Sequence, residues 1–361
     1  MKAAVCYEFG QPLVIEEIDI DPPQPGEVMV KLAATAICHS DVHLLHGEWG
    51  GRTPLVAGHE SAGVIAEVGE GVTGLQPGDP VVVSLLRSCG ECPECVRGAP
   101  HLCSGSFALD TQSRLHNRQG LSLNHGLKTA SFAEYTVVHA SQCVKIPDDV
   151  PPASACLLAC GVITGLGAVM NTARVEPGSC VAVIGAGGVG LNAIQGAVLS
   201  EAGRIIAVDL REGKLELARS FGATDSVNAA DEDPAKAVRK LTGGAGVDYA
   251  FVTVGNAAAI EGALKMVRRG GALVVVGLPE VTASFPVRVH SLVVGERRVL
   301  GSYMGSTDLH ADVPDLINLY RQGRLKLDEL VSRCYSLEQI NEAIAAMEGG
   351  GALRNVIVFS E

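Results

Sequence analysis

Residues 180–190 read Cys-Val-Ala-Val-Ile-Gly-Ala-Gly-Gly-Val-Gly, an apolar run broken at once by glycines at 185, 187, 188 and 190. This spacing predicts a strand, a tight turn and the first turn of a helix, the setting in which a dinucleotide fingerprint works. Gly185 serves the turn, and Gly187 lets the backbone approach a pyrophosphate. Gly188 and Val189 open the helix, and Gly190 permits close packing of helix on strand. Free N–H groups and the positive end of the helix dipole would then meet the phosphates. Asp209 ends the next apolar run, nineteen residues beyond Gly190. A carboxylate there binds both ribose hydroxyls and repels a 2′-phosphate, which favours NAD over NADP.

A strand-turn-helix unit of this kind needs neighbours, and the sequence supplies them. Candidate strands at 180–184, 204–208, 226–228, 248–252, 272–276 and 298–303 alternate with helical stretches such as 212–221 and 257–267. This alternation predicts an α/β, Rossmann-type doubly wound parallel sheet with helices on both faces. Before about residue 150 the pattern differs. Short β segments at 28–32, 63–68 and 81–85 are separated by Pro/Gly turns, with no strong helical period, as in an irregular, mostly β domain. A Pro-containing segment at 146–152 leads into a small-residue helix at 153–170. The C-terminal part adds helices at 311–322 and 337–348, the second opened by a capping box of Ser336 and Gln339, and a strand at 356–359. A chain of 361 residues accommodates two such domains.

Composition narrows the function. Aromatics are 4% of the chain, so the core is aliphatic, while 43 glycines imply many turns and close backbone approaches. The net charge of −12 argues against a nucleic-acid or anionic-membrane partner. No uninterrupted apolar stretch is long enough for a spanning helix, and the N-terminal run turns acidic without a signal-peptide core. A cytoplasmic enzyme is the expectation. In that reducing setting the eleven cysteines read as metal ligands or buried thiols rather than disulfides. Four of them, Cys89, Cys92, Cys95 and Cys103, crowd into one short loop. Two-residue gaps let thiolates converge on one ion, and four thiolates suit a closed, structural tetrahedral Zn²⁺.

A second set is dispersed: Cys38-His39-Ser40-Asp41-Val42-His43, Gly58-His59-Glu60, and Cys160-Gly161. Taken with the cysteine loop, the run Cys-Gly-Val-Ile-Thr-Gly at 160–165, the glycines at 185–190, the segment 30–41 and the ending Gly351-Ala-Leu-Arg354-Asn, the order resembles the zinc-dependent medium-chain alcohol dehydrogenases over essentially the whole chain. Within that family it is most similar to the long-loop, class III-like branch. The resemblance implies that Cys38, His59 and Cys160 bind a catalytic zinc, with water or substrate oxygen in the fourth position. It implies that Asp41 orients His59, and that Glu60 lies beside the metal and assists ligand exchange. Ser40 is implied to accept the alcohol proton, which would pass through the nicotinamide ribose to His43 and solvent. His39 is implied near the pyrophosphate and Thr164 near the nicotinamide. Lys214 and Arg354 are implied on the adenosine ribose and phosphate.

The same resemblance implies a discontinuous, GroES-like catalytic domain at 1–160 and 304–361 around a dinucleotide-binding domain at 161–303. NAD and substrate are expected in the cleft between them, and two zinc ions per chain. The implied reaction is reversible, NAD-dependent oxidation of a small-molecule alcohol to an aldehyde or ketone. A homodimer is expected, with a tetramer as the alternative. Two other readings remain: a dehydrogenase of a hydroxymethyl adduct of a thiol, and a zinc- and NAD(H)-binding redox sensor without turnover. Cys103 is followed by Ser-Gly-Ser-Phe-Ala-Leu-Asp, without the basic residue that glutathione-class relatives carry shortly after the loop. Residues 110–131 read as a long loop, and Trp49 and Phe132 as pocket-lining candidates.

Overall fold

The computed structural model describes residues 1–359. The chain divides into two compact units, Met1–Cys160 together with the chain from Asp308 onward, and Gly161–Thr307.

The first unit is organised by Glu27–Ile37, an eleven-residue strand with Lys31 as its one exposed side chain. A strand this apolar needs cover on both faces and partners along both edges. Glu60–Val68, Tyr135–His139 and Arg354–Val358 all pair with it antiparallel. Pro80–Val83, Cys143–Lys145 and Val331–Tyr335 complete the seven-stranded sheet. Beside it, Lys2–Cys6, Val14–Ile20, Leu115–Asn117, Ser122–His125 and Leu55–Val56 close into a small barrel. Ile18, Val56, Leu115, Leu123 and Phe132 are 0% exposed in the core there. Each contributes roughly 1.5–3 kcal/mol of burial. Phe132 is thus a core residue.

Two expectations change here. Residues 110–131 are not simply a long loop: they supply two strands of the barrel. Arg114 pins them by donating to Glu27 through Nε and Nη2 at 2.9 and 2.8 Å, with both side chains buried. The part before residue 150 also contains a helix, His39–Leu45. Seven residues are too few to show a helical period, and its start is fixed by Asp41, whose carboxylate accepts the Cys38 N–H at 3.0 Å.

The second unit holds a six-stranded sheet in the order Asp225–Asn228, Arg204–Asp209, Cys180–Ile184, Val247–Val252, Val267–Val275, Arg298–Gly301, with every pairing parallel. The chain starts in the middle, winds to one edge and returns to build the other. Cys180–Ile184 and Val247–Val252 therefore flank the point where strand order reverses. Helices Gly188–Leu199, Glu212–Ser220, Pro234–Leu241 and Ala257–Met266 connect these strands. Pro234–Leu241, absent from the sequence reading, had a legible start: Asp233 caps it by accepting from Ala235 and Lys236 N–H, and proline follows at its first position. The helix expected at 153–170 is not continuous. A turn at Pro152–Ala155 tightens into a 3₁₀ segment, Cys156–Ala159; Cys160 leaves helical geometry at φ −149°, and Gly161–Gly167 starts anew. Among the described residues, no single helix is long and apolar enough to cross a membrane.

Candidate active site and metal centres

Three adjacent strands of the first unit bring the dispersed residues together. Cys38 follows the central strand directly, and His59 precedes its neighbour, where Glu60 pairs with Ala36. On the other side Arg354 opens the strand whose Asn355 pairs with Ile37. Cys160 arrives from the 3₁₀ segment, whose Ala159 carbonyl accepts the Ser84 hydroxyl at 2.6 Å. Donor atoms of Cys38, His59, Glu60 and Cys160 all lie within 4.8 Å of one another, and all four residues are buried.

Asp41, fully buried, sets the geometry. One carboxylate oxygen accepts from Gly58 N at 3.0 Å and from His59 Nδ1 at 2.9 Å. With its proton on Nδ1, His59 presents a lone pair at Nε2, a buried atom with no hydrogen-bond partner. Gly58 is required beside it. At φ +94°, a Cβ would lie 2.5 Å from the Phe132 ring and 2.7 Å from its backbone N. Glu60 offers Oε2 to Arg354 Nε at 3.3 Å, while its Oε1 has no partner. Burial pushes the Glu60 carboxyl up to about 8 against the pull of Arg354. The Cys38 thiol is held well below its ordinary range, first by its hydrogen bond with Cys160. Burial alone would lower His59, but the charge and hydrogen bond of Asp41 raise it. Two sulfurs, one orphaned imidazole nitrogen and a nearby carboxylate form a donor set that fits an open zinc site.

The loop cysteines converge differently. Their sulfurs also lie within 4.8 Å of one another, but each residue is only partly buried. Backbone N–H groups point at the sulfurs: Cys89 N and Gly105 N to Cys103 Sγ at 3.3 and 3.4 Å, and Cys92 N to Cys89 Sγ at 3.3 Å. Such donors favour thiolates, and backbone hydrogen bonding, first from Cys95, brings Cys92 down to about 6. Four converging thiols without an open position fit a structural zinc.

In the second unit, Gly185 sits at φ +94°, and a Cβ there would lie 2.5 Å from Val254 Cγ1. A Cβ at Gly190 would lie 1.8 Å from the Gly185 carbonyl oxygen, whereas around Gly187, the residue capping helix Gly188–Leu199, the space is open. That open cradle at a helix N-terminus fits a pyrophosphate. Asp209 stands against the turn, accepting from Ala186 N at 2.8 Å and from Arg211 N at 3.1 Å. Thr253, at the end of the neighbouring strand, donates to the Gly185 carbonyl at 2.8 Å.

Residues 24–148 match the model of the alcohol dehydrogenase GroES-like domain, and residues 188–322 that of the zinc-binding dehydrogenase family. The chain is 40% identical to the S-(hydroxymethyl)glutathione dehydrogenase of Synechocystis sp., over 99% of each chain. The chain belongs to the zinc-dependent medium-chain alcohol dehydrogenases. Among solved structures of the family, it is similar to an alcohol dehydrogenase zinc-binding domain protein from Burkholderia ambifaria. That match has a TM-score of 0.95 and 35% identity, covering 100% of this chain and 99% of the other. It is also similar to benzyl alcohol dehydrogenase from Acinetobacter calcoaceticus, with a TM-score of 0.93 and 34% identity over 99% of each chain.

The remaining residues implied by the family resemblance fall as follows. His39, exposed, and Ser40, partly buried, open helix His39–Leu45 beside Cys38. His43 lies one turn on, its Nδ1 on Glu48 and its ring stacked on Trp49 at a centroid distance of 5.2 Å. Thr164 lies in helix Gly161–Gly167, where its hydroxyl contacts Met304 Sδ at 3.7 Å. Lys214 is in the first turn of helix Glu212–Ser220, just beyond Asp209. Arg354, implied on an adenosine phosphate, is buried beside Glu60 in the metal-ligand cluster and donates to it through Nε, while its Nη2 has no partner. Glu48 and Thr253 were not singled out in the sequence. Neither sits in a spaced motif.

Proposed function

We propose that this enzyme reversibly oxidises an alcohol to an aldehyde or ketone with NAD, through Cys38, His59 and Cys160 as ligands of a catalytic zinc and Cys89, Cys92, Cys95 and Cys103 as ligands of a structural one. The observation that carries this reading is the buried, partnerless Nε2 of His59, aimed at two cysteine sulfurs and held by Asp41. When bound, zinc supplies Lewis acidity toward the alcohol oxygen, and NAD⁺ supplies the hydride acceptor. Asp41 fixes the His59 tautomer, and Glu60, paired with Arg354, stands beside the ligands and assists their exchange. Ser40 takes the alcohol proton. His43 delivers it outward, its Nδ1 held by Glu48 so that Nε2 is the nitrogen that exchanges. The turn Gly185–Gly190 binds the pyrophosphate, and Asp209 the ribose hydroxyls, with His39, Thr164, Lys214 and Arg354 as further cofactor contacts.

The identity with an enzyme named S-(hydroxymethyl)glutathione dehydrogenase favours a second reading, a hydroxymethyl-thiol adduct as the alcohol. A panel of primary, secondary, aromatic and thiol-adduct alcohols, followed by NADH formation, separates these readings. Turnover of simple alcohols is expected, and binding of NADH without turnover of any alcohol would refute the enzyme reading. In the same assay, His43→Gln should slow oxidation about tenfold at pH 7. The defect should shrink as hydroxide replaces the base, and a pH-independent loss would place the proton exit elsewhere. We also propose a homodimer in the cytoplasm. Arg298–Gly301 is an edge strand of the parallel sheet, and Val281, Val289 and Val293 in the preceding segment are 78%, 69% and 68% exposed. An uncovered edge with apolar flanks is a template for pairing with a second copy.

A further inference from the structure

Arg87 stands two residues before Cys89 and is 6% exposed. Its guanidinium meets Asp110 through Nη2 and lies over the Phe107 ring, 4.6 Å from the centroid. Nε and Nη1 are buried with no hydrogen-bond partner. Guanidinium has five N–H donors and never loses its charge, so burying it with two nitrogens unsatisfied is strongly unfavourable.

The surroundings deepen the imbalance. Burial and then the charge of Arg87 push the Lys128 amine and the His139 imidazole down. Burial, Arg114 and Arg87 bring His125 down to about 4. His125 Nδ1 is itself buried without a partner, while its Nε2 accepts from Arg114 N at 3.4 Å. The nearby carboxylates do not compensate. Glu27 is committed to Arg114 through both oxygens, and Asp110 already receives Arg87 on one side. Phe107, edge-on to His139 at 4.8 Å, forms an apolar wall.

We propose that Arg87, His125 and Lys128 form a binding site for a small oxyanion, a carboxylate or phosphate group, seated beside Phe107. An arginine over an aromatic wall suits such a group, which would accept the orphaned donors and offset the crowded positive charge. The site connects to the metal ligands through the chain itself. Ser84, three residues before Arg87, donates to the carbonyl of Ala159, the neighbour of Cys160. The oxyanion is therefore either a free ion or the acid group of the alcohol substrate. The second source rests on the alcohol-oxidation reading, and the first does not.

Two arms distinguish them. In the zinc-loaded enzyme, inorganic phosphate should raise the melting temperature saturably, beyond chloride at equal ionic strength, and Arg87→Gln should abolish that rise. In kinetics, ω-hydroxy acids of increasing length are compared with 1-alkanols of matching length. If the substrate carries the anion, the acid-to-alkanol ratio of kcat/KM peaks at one length and falls at least tenfold in Arg87→Gln, with the change mostly in KM. Arg87→Lys should restore part of it. Should Arg87→Gln not fold, Lys128→Gln, at an exposed position, reads the same two quantities. Absence of both phosphate stabilisation and acid preference in the wild-type enzyme would overturn the proposal. So would a loss of zinc in Arg87→Gln without any anion effect, because Cys103 also faces Lys128 and the cations would then serve the loop thiolates. An enzyme that turns over no alcohol yet binds phosphate through Arg87 would refute the activity reading and leave the site standing.

Discussion

The two cysteine clusters of the first unit are built in opposite ways. In the loop, all four sulfurs come from residues 89–103, stay partly exposed, and are met by backbone N–H groups of the same loop. In the buried cluster, Cys38, His59 and Cys160 come from far apart in the chain and are held by strand register and by the Asp41 carboxylate. A local set closes around its ion and ties a loop that has little core of its own. A dispersed set, assembled after the sheet has formed, can leave one coordination position open and keep it dry. The contrast assigns stability to the first cluster and chemistry to the second.

The sharpest way to break this assignment is substitution at one cluster at a time. His59→Ala removes the proposed ligand, whose Nε2 has no hydrogen-bond partner, and alcohol oxidation should fall roughly 10³-fold or more, since the metal's several kcal/mol of transition-state stabilisation go with it. The melting temperature should move little by comparison. Cys92→Ser should do the reverse. The melting temperature should fall by about 5–10 °C, while the chains that remain folded keep most of their turnover. Equal damage to both quantities in both variants would erase the distinction.

A smaller effect concerns acid stability near the loop. His125 is held at about 4 by burial and by Arg114 and Arg87, against about 6.5 in an unfolded chain. Between those values the unfolded chain binds the proton and the native one does not, so this group's contribution is fully present above about pH 6.5 and lost as pH falls toward 4. The melting temperature of the native enzyme should therefore drop faster from pH 7 to 4.5 than that of His125→Gln. Parallel curves would show that His125 is charged in the folded protein.

Legibility in the sequence followed the same divide. The glycine turn and the cysteine loop could be read directly because their chemistry is local: a few residues of spacing determine what meets. Cys38, His59 and Cys160 carry no such signal, and only a family resemblance singled them out. What joins them is the pairing of Ala36 with Glu60 and a 3₁₀ segment more than ninety residues on. The helix His39–Leu45 escaped because seven residues hold less than two full turns of period. Nothing near Arg354 in sequence reveals Glu60, its partner across the sheet. Arg87 escaped for a related reason. A single arginine before a cysteine motif has no pattern, and its meaning lies in donors left empty by the fold.

The most direct test of two clusters with separate tasks is metal content read together with coordination. Zinc analysis and X-ray absorption on the purified enzyme should find two ions per chain, one with four sulfur ligands and one with two sulfurs and one imidazole nitrogen, matching the two sets of converging side chains. His59→Ala should lose only the mixed site, and Cys92→Ser only the all-sulfur one. A fully active enzyme holding a single zinc per chain would contradict the account.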